Sequence, residues 1–212
     1  MRFQILPVTP YEQNCSLIWC EATGRAALVD PGGDVDVLLD AVKRAGVTLD
    51  KLLLTHAHLD HVGGTVELAR GLGLPVHGPQ QGDAFWFDAL PEQARMFGFP
   101  PIEAFRPDHW LEDGDVVALG ELRLQVIHCP GHTPGHVVFY EPVSRHAFVG
   151  DVLFQGSIGR TDFPRGDHGA LIHAIRHKLF PLGDDIAFIP GHGPMSTFGR
   201  ERRSNPFVGD RA

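Results

Sequence analysis

An α/β fold with its strand ends gathered on one edge is predicted by three observations. Several apolar segments run into a glycine or proline and then into a histidine or aspartate, and helical apolar stripes lie between them. One segment, Thr55-His56-Ala57-His58-Leu59-Asp60-His61, places four possible metal ligands, His56, His58, Asp60 and His61, in six residues straight after Leu52-Leu53-Leu54. Three histidines and a carboxylate held so closely would repel and go unsatisfied if protonated. Divalent cations, by contrast, take neutral imidazoles and carboxylates as ligands.

Taken in order, the chain opens on Met1 to Pro10 with no long apolar run, so no secretory leader is expected. Val29-Asp30-Pro31-Gly32 ends an early strand and puts Asp30 where it can hydrogen-bond a ligand. Val35, Leu38, Leu39 and Val42 follow helical spacing, and Gly46 stands where that helix should stop. Residues 80–108, rich in Phe, Pro and Gln, read as a helix and a long loop, with Phe85, Trp86, Phe87 and Phe97 taken as core rather than lid. Leu122, Leu124 and Val126 alternate with Arg123 and Gln125, a strand that leads to Pro130-Gly131-His132. His128 and His136 flank His132 by four residues each and read as strand residues or supports for ligands, and Cys129 as a strand residue.

Residues 146–149 form a short apolar run ending in Gly150-Asp151, and residues 185–189 another, ending in Pro190-Gly191-His192-Gly193. Glycine beside each of these residues lets the backbone approach an ion, and open α/β sheets collect their sites at the carboxyl ends of strands. Leu171, Ile172, Ile175 and Leu179 mark a further helix stopped by Pro181. His173 and His177 are four apart on it, but they lack a third ligand and fall off the apolar stripe.

The motif His56-x-His58-x-Asp60-His61 and the order of the later ligand residues resemble the metallo-β-lactamase fold. Within that superfamily, three segments resemble glyoxalase II: His128-Cys-Pro-Gly-His-Thr-Pro-Gly-His136, Gly150-Asp151 and Ile189-Pro-Gly-His-Gly193. The stretch from Gly150 through Gly-Arg-Thr-Asp162 to Asp167 is most similar to the short, single-domain bacterial type. The resemblance implies a four-layer αβ/βα sandwich. It also implies that His56, His58 and His132 bind one metal, that Asp60, His61 and His192 bind a second, and that Asp151 bridges them. Two divalent ions follow, zinc first, with iron or manganese as alternatives.

Composition agrees with this reading. The chain has 212 residues, 43% of them hydrophobic, enough for one substantial core, and no Ser/Gly-rich linker divides it, so residues 1–212 are expected to be a single domain. The helical C-terminal domain of full-length glyoxalase II is expected to be absent. No stretch approaches a membrane span. Cys15, Cys20 and Cys129 are odd in number and form no C-x-x-C pair, which points to reduced thiols and a cytoplasmic setting. A net charge of −8 argues against nucleic acid, because polyanions are bound through Lys and Arg. An anionic substrate must then find local positive charge, and Arg160 and Arg165 lie in the loop after Asp151. Arg160 is the candidate substrate contact. Arg200, Arg202 and Arg203 read as a charged terminal helix. The oligomeric state is not legible.

The resemblance therefore implies a metal-dependent hydrolase of glutathione thioesters such as S-lactoylglutathione. A metal-bridging hydroxide would attack the thioester carbonyl, with Asp60 and Asp151 orienting it, and the departing thiolate needs little acid help because thiols ionise near 8.5. Alternatives on the same scaffold are a mononuclear-iron persulfide dioxygenase using His56, His132 and Asp151, a lactonase, and a non-catalytic metal-binding module.

Overall fold

The computed structural model describes residues 1–211. Its first sheet runs β1 (Arg2–Val8), β2 (Gln13–Trp19), β3 (Arg25–Val29), β4 (Thr48–Leu53) and β5 (Val76–His77), antiparallel through β3 and parallel from β3 to β5. Four helices lie along this half of the chain: α1 (Val35–Ala45), α2 (Leu59–Val62), α3 (Thr65–Leu72) and α4 (Ala84–Phe97). The second sheet is built from β6 (Val116–Leu119), β7 (Leu122–His128), β8 (Val137–Glu141) and β9 (His146–Gly150), then β12 (Ala187–Pro190) and β13 (Ser196–Thr197). Between β9 and β12 come the hairpin β10 (Leu153–Phe154) and β11 (Ser157–Ile158), followed by α5 (His168–Ala174); α6 (Phe198–Ser204) follows β13.

Three apolar cores define the layers. Leu38, Ala41, Leu68, Phe87 and Leu90 from the first helices pack on Leu17, Leu28 and Leu52 of the first sheet. Ile18, Val29 and Leu53 meet Leu124, Phe139 and Phe148 of the second sheet. Leu171, Ile175 and Phe198 cover Val138, Ala147 and Phe188 on its outer face. The order helix, sheet, sheet, helix is the four-layer αβ/βα sandwich, and strands buried on both faces read as continuous apolar runs for that reason.

Most predicted elements form as expected. The stripe Val35 to Val42 is α1, and Gly46 takes φ +67° to close it. The stripe Leu171 to Leu179 is not one α-helix: α5 stops at Ala174 and a π-helical turn, Ile175–Leu179, continues it, so a stripe spaced for 3.6 residues per turn persists through a wider turn. Cys129 is buried but lies just past the end of β7. Of the four aromatics taken as core, Trp86 and Phe87 are buried, whereas Phe97 at the end of α4 is exposed.

Two parallel strand pairs place the site. Asp30 follows β3, His56 follows β4, Asp151 follows β9 and His192 follows β12, with β3 beside β4 and β9 beside β12. Backbone bonds tie the two sheets at this edge, Asn14 N to Gly191 O at 2.7 Å and Val137 N to Thr55 O at 2.8 Å, and Gly191 N to Gly150 O at 2.8 Å joins the ends of β12 and β9 within the second sheet.

Candidate metal centre

All seven histidines and aspartates singled out as ligands meet at this edge. His56 Nε2 and His132 Nε2 lie 3.1 and 3.0 Å from His58 Nδ1, so three ring nitrogens converge on one point. Beside them, His192 Nε2 lies 3.2 Å and His61 Nε2 3.9 Å from Asp60 Oδ2. Asp151 stands between the two groups. Its Oδ1 is 3.4 Å from His61 Nε2, and its Oδ2 is 3.6 Å from His132 Nε2 and 3.8 Å from His192 Nε2.

The far side of most rings is already bound, which decides which nitrogen faces inward. Asp30 Oδ2 accepts from the Thr55 hydroxyl at 2.6 Å and from His61 Nδ1 at 3.0 Å. Because that hydroxyl's proton is committed to Asp30, its oxygen accepts from His56 Nδ1 at 3.0 Å. His132 Nδ1 donates to the Arg160 carbonyl at 2.8 Å, and His192 Nδ1 to the Tyr11 carbonyl at 3.1 Å. In each of these four rings Nδ1 is thereby engaged, and Nε2 is the nitrogen turned inward as a candidate ligand. Asp30 thus supports a ligand, as its place after β3 suggested.

Other residues fix the loops. Asp83, buried, accepts from Ala57 N at 3.0 Å, the Thr133 hydroxyl at 2.8 Å and Gly135 N at 2.6 Å, which joins the His56 loop to the His132 loop. His136 stacks on His56 with centroids 4.6 Å apart, and its Nε2 accepts from Asp151 N at 3.1 Å. Asn14 Nδ2 donates to the carbonyls of Pro190 and Gly193 on either side of His192. A Cβ on Gly191 would run into Asp151 Oδ1 and His61, so only glycine lets that loop pass.

Electrostatics divide the centre. Burial, then neighbouring imidazoles, push His56 well below the ordinary histidine value, and His58 likewise. Burial acts against the charged form of His61 as well, but Asp151, Asp60 and Asp30 outweigh it and push that ring up to about 9. Burial alone would raise Asp60, yet His61 and His192 hold it far below the usual carboxylate range.

The donors fit a cation. His61 Nε2 and Asp151 Oδ1 are buried, face each other, and have no hydrogen-bond partner, a costly arrangement unless something positive sits among them. Imidazole and carboxylate ligands suit divalent zinc, iron or manganese.

An aromatic wall borders the three-histidine group. Trp86 and Phe163 each lie 4.7 Å, centroid to centroid, from His58, and Phe163 lies 5.5 Å from His132. Part of the group read as core is therefore part of the site. The Arg160 guanidinium is closed on Asp162, at 2.8 and 2.7 Å, so its backbone carbonyl, not its side chain, touches the centre. His173 and His177 lie on the outer helix, apart from it. From the sequence Trp86 reads as core rather than lid, and Thr55, Asp83, Tyr11 and Phe163 are given no role. Only Thr55 and Asp83 carry a signal, a polar side chain beside a ligand or just before a helix.

The Metallo-beta-lactamase superfamily profile matches residues 8–192. Hydroxyacylglutathione hydrolase GloC of Haemophilus influenzae is 49% identical over all of both chains. Among solved structures, BLEG-1 B3 metallo-beta-lactamase is 36% identical with a TM-score of 0.89, covering 98% of this chain and 99% of that one. TTHA1623, solved in a di-iron-bound form, is 37% identical with a TM-score of 0.87, covering 96% and 99%. On this fold, this ligand order and these full-length matches, the chain belongs to the metallo-beta-lactamase superfamily, on its glyoxalase II branch.

Proposed function

We propose that this chain is a metal-dependent hydrolase of glutathione thioesters such as S-lactoylglutathione, and that residues 1–212 act as one catalytic unit. The observation that carries the reading is the Asp151 carboxylate, one oxygen toward His61 and the other toward His132 and His192. His56, His58 and His132 would hold one ion, Asp60, His61 and His192 a second, and Asp151 would serve both. The full-length similarity to a hydroxyacylglutathione hydrolase supports the thioester class, and the di-iron neighbour supports two ions. Zinc is the simplest occupant of such a nitrogen and oxygen set, with iron and manganese as rivals.

Divalent cations supply Lewis acidity at the thioester carbonyl and make a water acidic enough to attack near neutral pH. The chain's own residues do the rest. Asp60, kept ionised by His61 and His192, and Asp151 accept hydrogen bonds and orient the attacking water. Trp86 and Phe163 shield one side of the site from solvent. The leaving thiolate needs no strong acid, which suits a centre whose inward-facing groups are acceptors. No described helix is long and apolar enough to cross a membrane. Cys15, Cys20 and Cys129 are free thiols, which supports a reducing, cytoplasmic setting.

The test is the loss of thioester absorbance of S-lactoylglutathione with zinc-loaded protein, measured together with metal content. Turnover with two ions per chain, abolished in Asp60→Ala, is expected. Absence of turnover overturns the reading. One iron per chain with oxygen uptake on glutathione persulfide would assign the dioxygenase instead, and turnover of a β-lactam alone would assign a lactamase.

A further inference from the structure

Residues 159–167 cross the metal centre on the side of His58 and His132, and the loop does two different things with its two arginines. Arg160 gives its carbonyl to His132 and spends its guanidinium on Asp162. Phe163 then packs against both histidines. The chain reverses at once, with Gly166 N donating to Phe163 O at 2.8 Å, Pro164 at the second turn position and Arg165 at the third with φ +63°. That third position with positive φ ordinarily belongs to glycine or asparagine. A long cationic side chain in a backbone conformation unfavourable to it is the kind of outlier that collects at binding sites.

The arginine is also placed. Its Cζ lies 4.2 Å over the Phe85 ring, Phe85 lies 5.1 Å from Trp86, and Trp86 lies 4.7 Å from His58. The guanidinium thus sits at the far end of an aromatic row that starts at the metal centre. Among the described residues no carboxylate pairs with it, whereas Arg160, Arg202 and Arg203 each face an aspartate. Stacked on a ring, a guanidinium keeps its planar row of N–H donors free for a carboxylate, which it can bind through two parallel bonds.

We infer that Arg165 binds a carboxylate of the thiol carrier and so sets a preference for thioesters whose carrier bears one. This rests on the hydrolase reading above. A tripeptide thiol fits the layout: with its thioester at the metals, a terminal carboxylate a residue or more away, at about 3.5 Å per extended residue, lies along the aromatic row.

The experiment compares Arg165→Asn, Arg165→Lys and the parent on S-lactoylglutathione and on the S-lactoyl ester of N-acetylcysteamine, which has no carboxylate. Asparagine suits the positive φ, so Arg165→Asn should melt no lower than the parent while its KM for lactoylglutathione rises about tenfold or more. The effect on the N-acetylcysteamine ester should be much smaller, and Arg165→Lys should recover part of the loss. Equal rises on both esters, or no rise on either, overturn the assignment while leaving the hydrolase reading standing. A parent inactive on lactoylglutathione overturns that reading and this one with it.

Discussion

The two halves of the metal centre are built from different chemistry. His56, His58 and His132 are buried imidazoles, kept neutral by burial and by one another. Asp60, His61 and His192 mix carboxylate with imidazole, and the side chains of His192 and Asp60 remain 29% and 22% exposed. The first set offers three nitrogens behind an aromatic wall, and the second offers negative charge at an open edge. A cation held by the second set would therefore gain more from charge and exchange more readily with solvent. Asp151 lies between the two sets, with Oδ1 3.4 Å from His61 Nε2 and Oδ2 3.6 Å from His132 Nε2.

The strongest way to break that picture is Asp151→Ala. It removes the carboxylate common to both sets, and thioester turnover should fall by more than about a hundredfold, beyond what loss of a ligand's supporting partner costs. If that variant kept two ions and parental turnover, the shared carboxylate would play no part.

Asp30→Ala comes next. It strips the support from His61 directly and from His56 through Thr55, so metal affinity, read by competition with a chromogenic chelator, should drop about ten- to a hundredfold. Thr55→Val reaches only the His56 side and should cost less. Release kinetics sharpen the contrast: excess chelator should remove the metals in two phases, and His192→Ala should lose the faster one. A single phase in both proteins would mean that the open edge gives no kinetic advantage.

Asp83 tests the framework rather than the ligands. Burial pushes its carboxyl up to about 6, against the pull of Gly135 N, Thr133 and Ala57 N. The folded state then holds a proton that the unfolded chain has released, so stability contributed by this group is present at low pH and is lost as pH rises from about 4 to 6. Chemical denaturation of the metal-stripped protein at those two values should differ through this group by about 2 kcal/mol, and Asp83→Asn should remove that part.

The smallest effect is expected from Arg160→Ala. Its ion pair with Asp162 is exposed on both sides, and such pairs contribute little, so KM should change less than about twofold. A tenfold rise would return the carboxylate to Arg160.

Much of the centre could be read from the chain because its markers are local. His56, His58, Asp60 and His61 lie on one short segment, and His132, Asp151 and His192 each sit next to a glycine at the end of an apolar run. At Gly191 the reason is visible, since any side chain would strike Asp151. The supports were harder to read. The carbonyls of Tyr11 and Arg160 orient ligands without any contribution from side-chain identity, so no residue type announces them. Arg160 stands out in the sequence by its charge, and that charge is neutralised two residues away. Trp86 and Phe163 are as apolar as any core residue, and only packing across the sheet edge turns them toward His58.

Apolar period, glycine placement and ligand spacing are properties of neighbours along the chain, so the sequence by itself determined the α/β class, the strand ends and the seven candidate side chains, while the layers followed from the family resemblance. Which nitrogen of each ring faces inward, which arginine keeps its charge free and which aromatics border the site depend on contacts between residues far apart in sequence. Only the tertiary structure decided those, because a hydrogen bond or ion pair is settled by what lies within about 3 Å in space.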